Sequence, residues 1–78
     1  MLLRIRHFAV LREHRGKTEE SIDVTPGTAV GALYNQLFPA SELGSLPVMF
    51  AVNQEYVDAG HLLKEGDEVA FIPPLGGG

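Results

Sequence analysis

The sequence predicts an α+β domain in which one helix packs against one face of a mixed sheet. Three observations support this prediction. The chain has 78 residues, 45% hydrophobic and 21% charged, a composition typical of one small globular domain. Apolar residues alternate with polar ones in segments near both ends, as they do in half-buried strands. A segment between them instead has the apolar spacing of an amphipathic helix.

Two strands are predicted at the start of the chain. In the first, two sets of residues alternate, Leu3, Ile5 and His7 with Arg4, Arg6 and Phe8. Successive side chains of a strand point to opposite faces, so each set belongs to one face of the sheet. The second strand alternates in the same way, with Glu20, Ile22 and Val24 set against Ser21 and Asp23. The spacing predicts a hairpin with a loop of several residues, in which Arg12 and Glu13 form a solvated pair.

One helix is predicted after the second strand. Thr25-Pro26-Gly27 ends the strand, and Thr28 is expected to cap the helix. The apolar residues of this segment recur on a single helical face: Val30, Leu33, Tyr34, Leu37 and Phe38. Pro39 ends the helix because proline lacks the backbone donor that a further turn needs. We therefore interpret the apolar stripe as core.

The rest of the chain returns to strands. Residues 40–47 are predicted to be a loop. The next elements, in order, are a strand at 48–53, a turn at 53–54, a short strand at 56–57, a core-packed turn at 62–63 and a last strand at 69–72. Apolar residues on both faces of the segment 48–53 favour a central place in the sheet.

The order β-β-α-β-β-β, with one helix on a mixed sheet, predicts the β-grasp (ubiquitin-like) fold over residues 1–72. One set of residues is assigned to the helix-covered face: Leu3, Ile5, Val69 and Phe71. The same alternation places Phe8 and Ile72 on the opposite, open face. An exposed apolar patch is therefore expected there, next to a projecting tail at residues 73–78.

Length and composition exclude several classes of function. A chain of 78 residues has little room for both a core and a deep catalytic cavity, so we do not expect it to be catalytic alone. The absence of cysteine excludes disulfides, thiolate chemistry and cysteine metal sites. A net charge of −4 argues against nucleic acid as a partner. No apolar run reaches the ~20 residues of a membrane span, so the expected location is the cytoplasm.

Scattered polar residues are given structural interpretations. His7, His14 and His61 lie in separate segments without carboxylates at ligand spacing, so no metal site is expected. Glu65, Asp67 and Glu68 are interpreted as an acidic cluster solvated on a surface turn.

The final segment, Pro73-Pro74-Leu75-Gly76-Gly77-Gly78, suits a tail rather than a strand, because proline lacks a donor and glycine packs poorly. Fully extended, Leu75 to Gly78 spans about 13–14 Å, enough to enter a cleft of another protein. A frayed, inert terminus is the alternative. The terminal carboxylate is an anion at neutral pH, so any acyl chemistry requires its activation.

Three motifs resemble the small subunits of molybdopterin synthase, a family of ubiquitin-like sulfur carriers. The first is Phe8-Ala9-x-Leu11-Arg12-Glu13, and the second is Ala51-Val52-Asn53-Gln54. The third is Leu63-x-Glu65-Gly66-Asp67-Glu68-Val69-Ala70-Phe71-Ile72-Pro73-Pro74, which runs into the glycines. The resemblance spans nearly the whole chain.

The resemblance implies a sulfur carrier whose reacting pair is Gly77-Gly78. An ATP-using enzyme related to ubiquitin-activating enzymes would adenylate the carboxylate of Gly78, which is then converted to a thiocarboxylate. The large synthase subunit would transfer this sulfur to the pyranopterin precursor, with the two subunits forming a heterotetramer. No cofactor other than the terminal sulfur is expected. Family positions that dock on partners match Phe8, Tyr56 and Ile72 here.

The resemblance also implies that the tail residues Pro73, Pro74, Leu75 and Gly76 contact partners. Gly76 departs from the family pattern, in which the third-last residue often bears a side chain, so weaker ordering of the tail is expected. Three alternatives remain: a sulfur carrier for thiamine thiazole, tRNA or amino-acid thiolation, a protein modifier that forms isopeptide bonds, and an interaction domain with an inert tail.

Overall fold

A computed structural model describes residues 1–39 and 47–74 of the chain. In chain order, the described elements are β1 (Leu2–His7), α1 (Ala9–Arg15), β2 (Glu19–Asp23), α2 (Val30–Leu37), β3 (Met49–Val52), β4 (Glu55–Val57) and β5 (Glu68–Ile72). The strands form a mixed sheet in the order β2-β1-β5-β3-β4. Strands β1 and β5 are parallel, and the other neighbours are antiparallel. The structure confirms the predicted β-grasp fold.

The core lies between the sheet and α2. Register places Ile5 beside Val69 and His7 beside Phe71, so the two innermost strands present the same parity to the helix. The predicted helical stripe packs there: Val30, Leu33, Tyr34 and Phe38 are buried, and Leu37 is partly buried. Alternation in the strands and the helical spacing thus identified the faces that bury apolar surface.

Helix α1 corrects the predicted loop between the first two strands. It begins after Phe8, whose carbonyl accepts hydrogen bonds from the backbone N–H groups of Leu11 and Arg12. It ends at Gly16, where φ of 76° suits a residue without a Cβ. Arg12 and Glu13 are exposed on this helix rather than closing a turn. Leu11 is its one buried residue, so the helix has too short an apolar stripe to be recognised by periodicity.

The start of α2 also differs from the prediction. The N-cap residue is Ala29, which makes no side-chain capping bond. The hydroxyl of Thr28 instead donates to the carbonyl of Thr25 at 2.6 Å and stabilises the preceding turn. At Gly31, a Cβ would lie 2.8 Å from the Cβ of Ala59. Glycine therefore permits the close approach of α2 to the loop before β5.

The β3–β4 hairpin turns at Asn53 and Gln54, as predicted, with both residues at positive φ (52° and 71°). Strand β3 is an interior strand, as predicted: it lies between the middle strand β5 and the edge strand β4. Of the predicted core-packed pair, Leu63 is buried but Leu62 is exposed. Residues 40–46 of the predicted loop lie outside the described residues.

Candidate partner-docking site

The open face of the sheet carries a shallow depression of about 230 Å³. Residues from four strands, the β1–α1 junction and the β3–β4 turn line it: Arg6, Phe8, Ala51, Gln54, Tyr56, Glu68, Ala70 and Ile72. Phe8 and Tyr56 are exposed and Ile72 is half-buried. The three residues that the resemblance assigned to docking therefore surround one depression, on the face that strand parity predicted.

Strand register explains the shape of this depression. One row of neighbouring residues crosses the sheet in the order Tyr56, Ala51, Ala70, Arg6 and Glu19. The two alanines lie in the middle of the row and provide little side-chain volume. Larger side chains surround them, so the surface is concave and largely apolar. Such a surface suits contact with a partner's apolar side chain.

The base of the tail lies at the end of β5, next to this depression. Pro73 is buried, whereas Pro74 is exposed. Because it is buried, Pro73 belongs to the globular domain, whereas the sequence predicted that it is part of the projecting tail. Leu75, Gly76, Gly77 and Gly78 lie outside the described residues. Pro74, the last residue described at this end, therefore lies two positions after Ile72, which lines the depression.

A buried polar cluster, which the sequence analysis missed, supports the Phe8 end of this face. The Glu20 carboxylate accepts two hydrogen bonds from Arg15, at 2.7 and 2.8 Å, and lies 2.6 Å from Nε2 of His7. His7 is fully buried. The cluster joins β1, α1 and β2 immediately before Phe8. The sequence does contain a signal for this cluster. His7 and Glu20 are polar residues at positions where the alternation of their strands predicts inward-facing side chains.

The surroundings of Glu20 and His7 determine their protonation states. The hydrogen bonds from Arg15 lower the pKa of Glu20 from 4.5 to about 2, and His7 contributes in the same direction. Burial lowers the pKa of His7, outweighing the opposite effect of Glu20. The imidazole is therefore neutral at pH 7 and donates its Nε2 hydrogen to Glu20. Its Nδ1 atom is buried without a hydrogen-bond partner among the described residues.

The structure also corrects the prediction for the acidic turn before β5. Asp67 is buried rather than solvated: its carboxylate accepts hydrogen bonds from the Asn53 side chain at 2.9 Å and from the Lys64 backbone at 2.8 Å. The Asn53 side-chain oxygen accepts a third bond, from the Glu68 backbone at 3.0 Å. The second and third sequence motifs thus meet here and fix the β3–β4 turn against β5.

Other kinds of site find no support in the part of the chain that the structure describes. Within residues 1–39 and 47–74, no three His, Asp or Glu side chains are grouped so as to hold a metal ion. Neither of the helices described has the length and apolar character required to cross a membrane. The open face and the base of the tail are therefore the candidate site.

Comparison with known proteins finds relatives that are similar over nearly the whole chain. The chain is 39% identical over 83 aligned residues to the molybdopterin synthase sulfur carrier subunit of Chlamydomonas reinhardtii, covering 100% of both chains. It is 38% identical to the protein of the same name from Mycobacterium tuberculosis, covering 95% of this chain and 94% of that one.

A solved structure with the same fold is SAMP1, small archaeal modifier protein 1, of Haloferax volcanii. It is 26% identical, has a TM-score of 0.74 and covers 100% of both chains. The model of the ThiS family matches residues 5–78, nearly the whole sequence. The chain therefore belongs to the ThiS family.

Proposed function

We propose that this chain is the sulfur carrier subunit of a molybdopterin synthase and that its reactive group is the carboxylate of Gly78. The full-length similarity to relatives of that name is the observation that carries the proposal. The structure supports it with a largely apolar depression on the open face, lined by Ile72 at the end of the strand that precedes the tail. The chain is a carrier rather than a catalyst, and covalent sulfur is its only cargo.

The proposed chemistry begins with activation of an unreactive group. The terminal carboxylate is an anion at neutral pH and a poor electrophile. An enzyme related to ubiquitin-activating enzymes joins it to the AMP portion of ATP and releases pyrophosphate. A sulfur donor then displaces AMP and leaves a thiocarboxylate on Gly78. In the synthase, two such carriers each pass one sulfur to the pyranopterin precursor to build the dithiolene, and water restores each carboxylate.

The domain supplies the free energy needed to hold the tail in place. Ordering each residue from Leu75 to Gly78 costs about 1–2 kcal/mol in conformational entropy. Burying the exposed parts of Phe8, Tyr56 and Ile72 on a partner offsets that loss, at about 25 cal/mol per Å² of apolar surface. Gly77 and Gly78 have no side chains, so the reactive terminus can enter a narrow channel.

Two partners follow from this proposal. One is the large synthase subunit, which receives the tail and forms a heterotetramer with the carrier. The other is the adenylating enzyme, which must engage the same tail at an earlier step. Because both must reach Gly78, they use the open face in turn rather than together. We place these steps in the cytoplasm.

Reconstitution tests the proposed function directly. The thiocarboxylated chain, mixed with large subunit and precursor, is expected to give molybdopterin, and the same chain lacking Gly77 and Gly78 is expected to give none. Intact mass of the chain isolated from its native cells should reveal one oxygen replaced by sulfur. Failure of the full chain to yield product with active partners would contradict the proposal.

Docking through the open face has its own test. Ile72→Glu places a charge in the apolar depression, so binding to the large subunit should weaken strongly while the fold persists. Leu62→Glu is the matched control, because Leu62 is 58% exposed but pairs with Ala29 beside α2, away from this face. Equal losses for both variants would contradict docking through this face.

The similarity to SAMP1 favours protein modification as the second candidate function. A modifier would join its terminal carbonyl to lysine side chains, and conjugates of higher mass would disappear when Gly78 is deleted. A carrier for thiamine thiazole, tRNA or amino-acid thiolation would form the same thiocarboxylate but yield no molybdopterin with the large subunit. The two measurements together separate these possibilities.

A further inference from the structure

Arg6 on the open face has no anionic partner among the described residues. The ion pairs within residues 1–39 and 47–74 involve other cations. Its neighbour on β5 is Ala70, whose side chain offers no acceptor. Its neighbour on β2 is Glu19, but that carboxylate accepts its hydrogen bond from Arg4 at 3.0 Å. The sheet therefore leaves the charge of Arg6 available.

The guanidinium of Arg6 is also partly desolvated and held in place. Its Nε atom is buried without a hydrogen-bond partner in the described part of the chain. A buried donor without an acceptor is unfavourable, so an incoming acceptor at this position gains more than it would at an exposed arginine. The guanidinium carbon lies 5.7 Å from the centre of the Phe8 ring, within the range of a cation–π contact.

We propose that Arg6 is a specificity-determining contact of the docking face and that it binds a carboxylate of the large synthase subunit. The inference rests on the proposed function, which supplies the occupant. The occupant is a segment with an aspartate or glutamate close to an apolar side chain. The apolar group fills the depression beside Phe8 and Tyr56, and the carboxylate accepts hydrogen bonds from Arg6 in the two-pronged geometry typical of arginine.

Charge on the rest of the chain makes this contact selective. The net charge of −4 repels an acidic segment from most of the surface. Glu68 lines the same depression, two residues along β5 from the neighbour of Arg6. A carboxylate is therefore favoured at the Arg6 end of the depression over the end lined by Glu68.

Calorimetric titration of the purified chain with the large subunit tests the inference. Arg6→Gln is expected to raise Kd by about 10- to 100-fold, as for loss of hydrogen bonds to a charged group. Arg6→Lys should recover part of the affinity, because it keeps the charge but not the two-pronged geometry. Arg4→Gln is the matched control: it lies on the same strand and face, but its side chain is 61% exposed and paired, so Kd should change less than about 3-fold.

The outcomes distinguish this inference from the proposed function. If the wild-type chain binds and Arg6→Gln binds equally well, the inference is wrong and the proposed function stands. If the wild-type chain does not bind an active large subunit, both fail. A photo-crosslinking amino acid at position 6 identifies the contacted segment. An acidic residue is expected in that segment. Replacing this acidic residue by arginine should restore the binding that the Arg6→Glu variant loses. A contacted segment without an acidic residue would overturn the inference.

Discussion

Replacing Glu20 by glutamine should remove a large, acid-sensitive part of the stability of this domain. The Glu20 side chain is only 8% exposed and has a pKa of about 2, against an ordinary value of 4.5. A difference of about 2.5 pH units corresponds to about 3 kcal/mol, at about 1.4 kcal/mol per unit. Glutamine cannot ionise, so Glu20→Gln should lower the free energy of unfolding by about this amount at neutral pH.

The sign of the pH dependence follows from the lowered pKa. The unfolded chain binds the proton more readily than the folded one, so the contribution of Glu20 is complete above pH 4.5 and is lost as the pH falls towards 2. The gap between wild type and Glu20→Gln should be about 3 kcal/mol at pH 5 and should shrink to less than about 1 kcal/mol at pH 2. Burial of His7 acts in the same direction, since its lowered pKa makes stability fall as the pH drops below 6.5.

Urea unfolding followed by circular dichroism at several pH values measures this gap. Glu19→Gln is the matched control, because Glu19 lies next to Glu20 on β2 but pairs at the surface with Arg4. Its effect should stay below about 1 kcal/mol at every pH. A Glu20→Gln gap that persists at pH 2, or a control gap of equal size, would refute the proposed role of the buried carboxylate.

Three further changes test other parts of the structure. Gly31→Ala should lower the melting temperature. Overpacking against Ala59 costs about 1–3 kcal/mol, which outweighs a helix-propensity gain of about 1 kcal/mol. A higher melting temperature would contradict this prediction. Asn53→Ala should lower the free energy of unfolding by about 1–3 kcal/mol, since Asp67 loses a donor. Asn53→Gly, which suits the positive φ, should lose less in the same urea titration. Phe8→Glu should weaken large-subunit binding in calorimetry with under about 1 kcal/mol lost in unfolding, and marked unfolding would show that the side chain supports the core.

The features that could be predicted from sequence are those set by burial of apolar surface. Alternation with a period of two separated the faces of β1 and β5, and therefore placed Phe8 and Ile72 on the open side. Helical spacing identified the stripe of α2 in the same way. These patterns are local, so one sequence contains them in full.

The features that were missed depend on contacts between distant residues. Glu20 meets His7, thirteen positions earlier, and Asn53 meets Asp67, fourteen positions later. A polar residue alone does not reveal such a partner, so the prediction of solvation was wrong for Asp67 and the contact between His7 and Glu20 was missed. Helix α1 was missed for a different reason: a helix with one buried residue depends on its cap and tertiary packing rather than on an apolar period.

Because Pro73 is buried, it is a fixed anchor from which the reach of the residues after it can be measured. Counted from that anchor, the five residues to Gly78 reach at most about 16–18 Å, and each adds about 3.3–3.6 Å. Acyl transfer needs its reacting atoms within about 3–3.5 Å of each other. One inserted or deleted residue after Pro73 would therefore shift the limit of the terminal carbon by about a whole reaction distance, even if every docking contact were kept. Under the proposed function, the number of residues after this anchor therefore matters as much as any docking side chain.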